Sequence, residues 1–284
     1  MSNPLNKHKR KLSYYDYGAT TFYACQYDQR FSYNAYIPNN YNEEDSSVYP
    51  LLVVIHGTNR PVEKYRDAFK DFAEVNNTII LVPVFPAGIV EPGDLSSYKF
   101  IKSHGIHYDA ILLAMIDEMA IKYKIMKDKF LLYGFSGGGQ FAHRFFYLHP
   151  ERLLGVSIGA PGRITYLNPT EKWYVGTQDI EEQMGISINL DEMRKVPVQM
   201  VIGDLDVETW EINDKRDPYW MEGFDVNGKT RVERLEALRN NFVEHGIVVQ
   251  FDTVPEVGHK GLPLLPKVKA FFSKVLKDYN KNYS

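Results

Sequence analysis

An α/β fold is predicted, with a mostly parallel central sheet, helices on both of its faces and an antiparallel hairpin at its N-terminal edge. Three observations carry the prediction: short continuous apolar runs recur along the chain, helical periodicities separate them, and an aromatic-rich pair of alternating runs precedes them all. A run that is apolar at every position suits a strand buried on both faces. Alternation of such runs with helices implies crossovers between parallel strands.

The leading pair, Thr21 to Tyr27 and Phe31 to Ile37, is interrupted by the turn-like Asp28, Gln29 and Arg30, which predicts the hairpin. Buried strands are expected next at 51–55, 78–82, 130–133, 154–158, 198–202 and 247–251. Between them, Leu112, Met115, Met119 and Tyr123 recur at helical spacing, as do Val268, Phe271, Val275 and Tyr279 near the C-terminus. Two stretches, 163–195 and 208–229, break the alternation and contain all three tryptophans of the chain. Both follow strands, and loops at the carboxyl ends of parallel strands build the ligand crevice in open sheets. Trp173, Trp210, Tyr219 and Trp220 are therefore expected to wall a substrate pocket; the alternative is that these aromatics pin long loops to the body.

The 284 residues are 44% hydrophobic and 24% charged, enough material for one large core. Without a Ser/Gly-rich or Pro-rich linker or an internal repeat, a single domain spanning 1–284 with cap-like insertions at the two irregular stretches is expected. The net charge is −3, and the basic residues are scattered apart from Lys7, His8, Lys9, Arg10 and Lys11, a run that reads as a solvated tail. Nucleic acid is not an expected partner. Cys25 is the only cysteine, which excludes an intrachain disulfide and suits a small buried hydrophobe. The N-terminus has no apolar core of a signal peptide and no apolar stretch approaches the length of a membrane span, so a soluble, cytoplasmic protein without a membrane partner is expected.

Chemistry is written most densely at Gly134-Phe135-Ser136-Gly137-Gly138-Gly139, where G-x-S-x-G lies between an apolar strand and a helical pattern. A serine at so sharp a strand-to-helix turn projects its Oγ at the helix N-terminus, and the flanking glycines remove Cβ atoms that would collide with neighbouring strands. A Gly-rich turn can instead cradle a phosphate, but the chain has neither a G-K-[ST] ending nor G-x-G-x-x-G spacing here. Ser136 is therefore expected to be a nucleophile. His104 and His107 have a spacing that can hold a metal, but no third ligand follows at a recognisable distance. No metal or cofactor is expected, since a base-activated serine and an oxyanion hole suffice for acyl transfer.

A second apolar strand runs into His56-Gly57-Thr58-Asn59-Arg60, and with the serine elbow this makes the chain resemble the α/β-hydrolase superfamily. The resemblance extends from about Tyr33 to Tyr279. The phrase Gly-Phe-Ser-Gly-Gly-Gly-Gln-Phe makes it most similar to the esterase branch around polyhydroxybutyrate-depolymerase-like and feruloyl-esterase-like proteins. The resemblance implies an oxyanion hole formed by the backbone N–H groups of Thr58 and Gly137, and a structural role for His56. It also implies an acid after the strand that ends at Gly203, where Gly-x-x-Asp spacing selects Asp206 over Asp204. His259, between the last strand and the final helix, completes the order Ser, Asp, His. The implied activity is hydrolysis of a carboxylic ester through an acyl-Ser136 intermediate. A peptidase or amidase, a lactonase or a thioesterase would use the same residues, and a non-catalytic ligand-binding relative would keep the same fold.

Overall fold

In the computed structural model the described residues are 11–283 except Asp45 and Ser47, so most of the basic run from Lys7 lies outside them. The apolar runs become strands of one nine-stranded sheet. In chain order the strands are β1 (Gly18–Ala19), β2 (Tyr23–Ala24), β3 (Ser32–Ile37), β4 (Leu51–Ile55), β5 (Ile79–Val84), the separate ribbon β6 (Lys102–Ser103) and β7 (Ile106–His107), β8 (Phe130–Phe135), β9 (Leu153–Gly159), β10 (Val198–Gly203) and β11 (Val249–Val254). The spatial order is β1-β3-β5-β4-β8-β9-β10-β11, with β2 also paired to β3. From β5 to β11 every pairing is parallel, whereas β3 runs antiparallel to β1, β2 and β5.

The N-terminal hairpin forms with Tyr23 opposite Tyr33 and Ala24 opposite Ser32. Its first run is shorter than its alternation suggests, contributing only two residues to the ladder, and Cys25 beyond it is buried. The run at 247–251 departs further from expectation. β11 starts at Val249 and mixes half-buried with exposed residues, because it is an edge strand paired only with β10.

The helices are α1 (Val62–Ala68), α2 (Lys70–Asn76), α3 (Tyr108–Lys122), α4 (Gly137–Leu148), α5 (Ile180–Met184), α6 (Leu190–Met193), α7 (Arg231–Glu244) and α8 (Leu265–Tyr283). Leu112, Met115 and Met119 are the buried stripe of α3, and Val268, Phe271 and Val275 that of α8. α4 differs in being buried along its whole length. It packs on β8 and β9 and against a short 3-10 turn at Ser97–Phe100, so the helix leaving the serine is fixed on every side. No helix among the described residues is long and apolar enough to cross a membrane.

Candidate active site

Ser136 joins β8 to α4 with φ 58° and ψ −115°, a backbone conformation that costs about 1–3 kcal/mol and persists only where its surroundings enforce it. The enforcement is visible. The Ser136 N–H donates to the Gly159 carbonyl at 2.8 Å, and the turn is so tight that a Cβ on Gly134 would lie 2.0 Å from the Gly138 carbonyl oxygen. A Cβ on Gly138 would lie 2.2 Å from the carbonyl oxygen of Ile55, so β4 and α4 approach as closely as glycine alone permits.

The loops after β10 and β11 bring two more groups to this turn. Ser136 Oγ lies 2.8 Å from His259 Nε2, and His259 Nδ1 lies 2.6 Å from Asp206 Oδ2. A carboxylate can only accept, so Nδ1 carries the proton and Nε2 is left to accept from the serine hydroxyl. Asp206 is buried while Asp204 is exposed. The Phe135 ring stacks on the face of the His259 imidazole with centroids 4.8 Å apart, which holds the ring plane while the hydrogen bonds fix its edges. The remaining carboxylate oxygen, Asp206 Oδ1, accepts from Arg231 at 3.3 Å, and the same guanidinium donates to Glu211 at 2.6 Å.

Thr58 is half-buried, and its Oγ1 lies 3.2 Å from where a Cβ on Gly137 would sit. The N–H groups of Thr58 and Gly137 donate to no protein acceptor among the described residues. For Gly137, the first residue of α4, a free N–H is the ordinary condition of a helix N-terminus. His56, by contrast, is committed to structure. Its Nε2 accepts from the Phe85 N–H at 3.0 Å and its Nδ1–H donates to the Gly57 carbonyl at 2.9 Å, while burial pushes its pKa down to about 3.

The four aromatic residues expected on a pocket wall are not equivalent. Trp173 is buried in the main core, and Trp210 is 73% exposed. Tyr219 stacks on Phe100 with centroids 4.8 Å apart and donates to Asp94 at 2.8 Å, while the guanidinium of Arg163 lies 5.7 Å from the Trp220 ring. Thus 208–229 folds over the Ser97–Phe100 turn. That turn and Arg231 belong to the site's surroundings and were not expected from sequence: the turn has no motif, and Arg231 opens α7 in a polar context that reads as a surface helix.

A cleft of about 670 Å³ lined by Met126, Leu153, Pro197, Phe271 and Tyr279 lies at the other, amino end of the central strands. Ser136, Asp206 and His259 are all at the carboxyl end, where open parallel sheets bind ligands.

No family model matches the chain, and no curated protein matches it either. Solved structures do. Poly(aspartic acid) hydrolase-1 from Sphingomonas sp. KT-1 superposes with a TM-score of 0.71 at 20% identity, over 89% of this chain and 98% of the other. LpqC, a poly(3-hydroxybutyrate) depolymerase from Bordetella parapertussis, gives 0.68 at 21% identity over 85% and 83%. A ferulic acid esterase gives 0.56 at 13% identity over 92% and 99%. The chain therefore has the α/β-hydrolase fold.

Proposed function

We propose that the chain is a serine hydrolase that cleaves carboxylic esters through an acyl-Ser136 intermediate. The observation that carries this reading is the hydrogen-bonded series from Ser136 through His259 to the buried Asp206, set on a strained strand-to-helix turn. Two of the similar structures bear the names of ester-cleaving enzymes, which supports an ester as a substrate class.

His259 Nε2 takes the hydroxyl proton as Ser136 Oγ attacks the ester carbonyl carbon, and Asp206 stabilises the imidazolium that results. The N–H groups of Thr58 and Gly137 receive the oxyanion, a service commonly worth about 3–4 kcal/mol for each donor. Collapse expels the alkoxide, which leaves as the alcohol with the proton from His259. Water then attacks the acyl carbon, gives its proton to His259, and the acid departs as that proton returns to Ser136. The Tyr219 and Trp220 pair over the Ser97–Phe100 turn supplies an aromatic flank for the crevice, whereas the burial of Trp173 suits a packing role.

A fluorophosphonate probe is expected to label the wild-type chain once and the folded Ser136→Ala variant not at all. Turnover of p-nitrophenyl acetate or butyrate, run beside peptide anilides and lactones, is expected to fall by roughly three to six orders of magnitude in Ser136→Ala and His259→Ala. A folded wild-type protein that takes no label would be a ligand-binding relative.

A further inference from the structure

The Ser97–Phe100 turn carries a lysine with no counter-ion. Lys99 is 7% exposed, and its ammonium has a single side-chain hydrogen bond, to Ser96 Oγ at 3.1 Å. Among the described residues no carboxylate lies within ion-pair distance of it. The acids in its neighbourhood, Glu211 and Asp217, are engaged elsewhere, with Arg231 at 2.6 Å and Arg163 at 3.0 Å. Of the two cations facing it, Arg163 is paired with Asp217, and Arg60 has no carboxylate at ion-pair distance among the described residues.

Two more cations flank the same turn without a carboxylate. Arg60 lies over the Tyr98 ring at 5.3 Å and donates to the carbonyls of Phe85, Leu95 and Thr58. Arg144, fully buried, donates to the Lys99 carbonyl at 2.7 Å and to Thr165 Oγ1 at 2.9 Å. Both guanidiniums are satisfied by neutral oxygens and hold the turn in place. The ammonium of Lys99 keeps donor capacity in hand, since three protons serve one hydroxyl.

Its location gives that spare charge a use. The Cε of Lys99 lies 2.9 Å from where a Cβ on Gly137 would sit, the same point that Thr58 Oγ1 approaches to 3.2 Å. Lys99 therefore packs against the residue that follows Ser136, together with the Tyr98 hydroxyl, which lies 2.4 Å from the same point. Burial holds its pKa down to about 8, so at neutral pH the group is still mostly charged. A buried charge without an ion-pair partner is costly, and the more distant Glu211 and Asp217 offset it only in part.

Building on the esterase reading, we infer that Lys99 is the counter-ion for a carboxylate carried on the acyl part of the substrate, a short chain away from the scissile carbonyl. The substrate class is then a half-ester of a dicarboxylic acid or a longer chain that bears carboxylates. Hydrolysis of such an anionic half-ester consumes one water and yields the alcohol, the dicarboxylate and one proton released to solvent. A charge-assisted hydrogen bond that forms only with anionic substrates raises kcat/KM for them selectively.

The test compares monomethyl succinate, glutarate and adipate with methyl butyrate, pentanoate and hexanoate, pairs that differ only by carboxylate against methyl. In the wild type at least one half-ester is expected to exceed its neutral partner about tenfold or more in kcat/KM. Lys99→Met should reduce that ratio at least tenfold, and Lys99→Arg should retain most of it. Thermal unfolding of Lys99→Met is expected to be no lower than wild type, because the variant removes an uncompensated buried charge. Calorimetric titration of Ser136→Ala with monomethyl adipate and glutarate reads binding without turnover, and heat lost on adding Lys99→Met supports the inference even if no ester is cleaved. Neutral esters preferred throughout, an equal fall for both members of each pair in Lys99→Met, or half-ester binding untouched by that substitution would each overturn it. Absence of turnover with every ester, alongside intact half-ester binding, would overturn the esterase reading instead.

Discussion

At the scale of single residues, Asp204 and Asp206 show how much two positions decide. Both follow β10, yet Asp204 points into solvent and Asp206 is 1% exposed with one oxygen on His259 and the other on Arg231. Asp206→Asn keeps the shape but replaces an acceptor by an amide that can present its NH₂ to Nδ1, which stabilises the wrong tautomer. Turnover is expected to fall by about three to four orders of magnitude. Asp204→Asn should stay within about threefold of wild type, since an exposed side chain with no role in the series has little to lose. Steady-state rates for the two variants, with circular dichroism to confirm folding, check the assignment, and the reverse ranking would refute it. The sequence spacing Gly-x-x-Asp already selected this residue, but nothing in the sequence pointed to Arg231. A basic residue following Thr230 at a helix start looks solvent-facing, and it is the packing of α7 against β10, with Asp206 and Glu211 on the guanidinium, that accompanies its burial.

At the scale of elements, local signals were readable where neighbouring residues determine the outcome. The strand 51–55 is bounded as its apolar run suggests, and the serine turn is set by glycines that sit next to it. Two features set by partners distant in the chain were not legible: the exposed character of β11 depends on its edge location, and the burial of Lys99 on its tertiary surroundings. The contact between α4 and β4 gives the element-scale prediction. Gly138→Ala would set a methyl 2.2 Å from the Ile55 carbonyl oxygen and 2.9 Å from that of His56, both backbone atoms that cannot rotate away. The helix must withdraw from the strand, at a cost of roughly 1–3 kcal/mol or more. Because His56 precedes Gly57 and Thr58, the same withdrawal displaces an expected oxyanion donor. Urea unfolding should show lower stability and ester assays at least a tenfold lower kcat, whereas unchanged values in both would disprove the contact.

At the scale of the whole molecule, two buried histidines act as neutral ties between elements. His56 joins the end of β4 to Phe85 after β5, and His143 joins α4 to Thr165, accepting its N–H at 3.1 Å while donating to the Gly139 carbonyl at 2.9 Å. Burial pushes both below their ordinary value of 6.5, His56 to about 3. The unfolded chain therefore holds more protons than the folded one between pH 6.5 and about 3, and stability falls as pH falls through that window. Each proton taken up contributes up to about 1.4 kcal/mol per pH unit. Asp28, Asp67, Asp71 and Asp94, held below the usual carboxylate range by their hydrogen bonds and ion pairs, add to the loss only at lower pH. Urea midpoints at pH 7, 6 and 5 should decline steadily, with a shallower slope in His143→Gln; a flat profile would show that the histidines protonate in place. The remaining consequence lies in where the reactive groups stand. Ser136, Asp206 and His259 follow three different strands, and the parallel pairing of β10 with β11 sets the loops of Asp206 and His259 side by side. With Ser136 as the proposed nucleophile, a covalent label on it is expected to count molecules in which all three strands are in place, so labelling doubles as an assay for assembly.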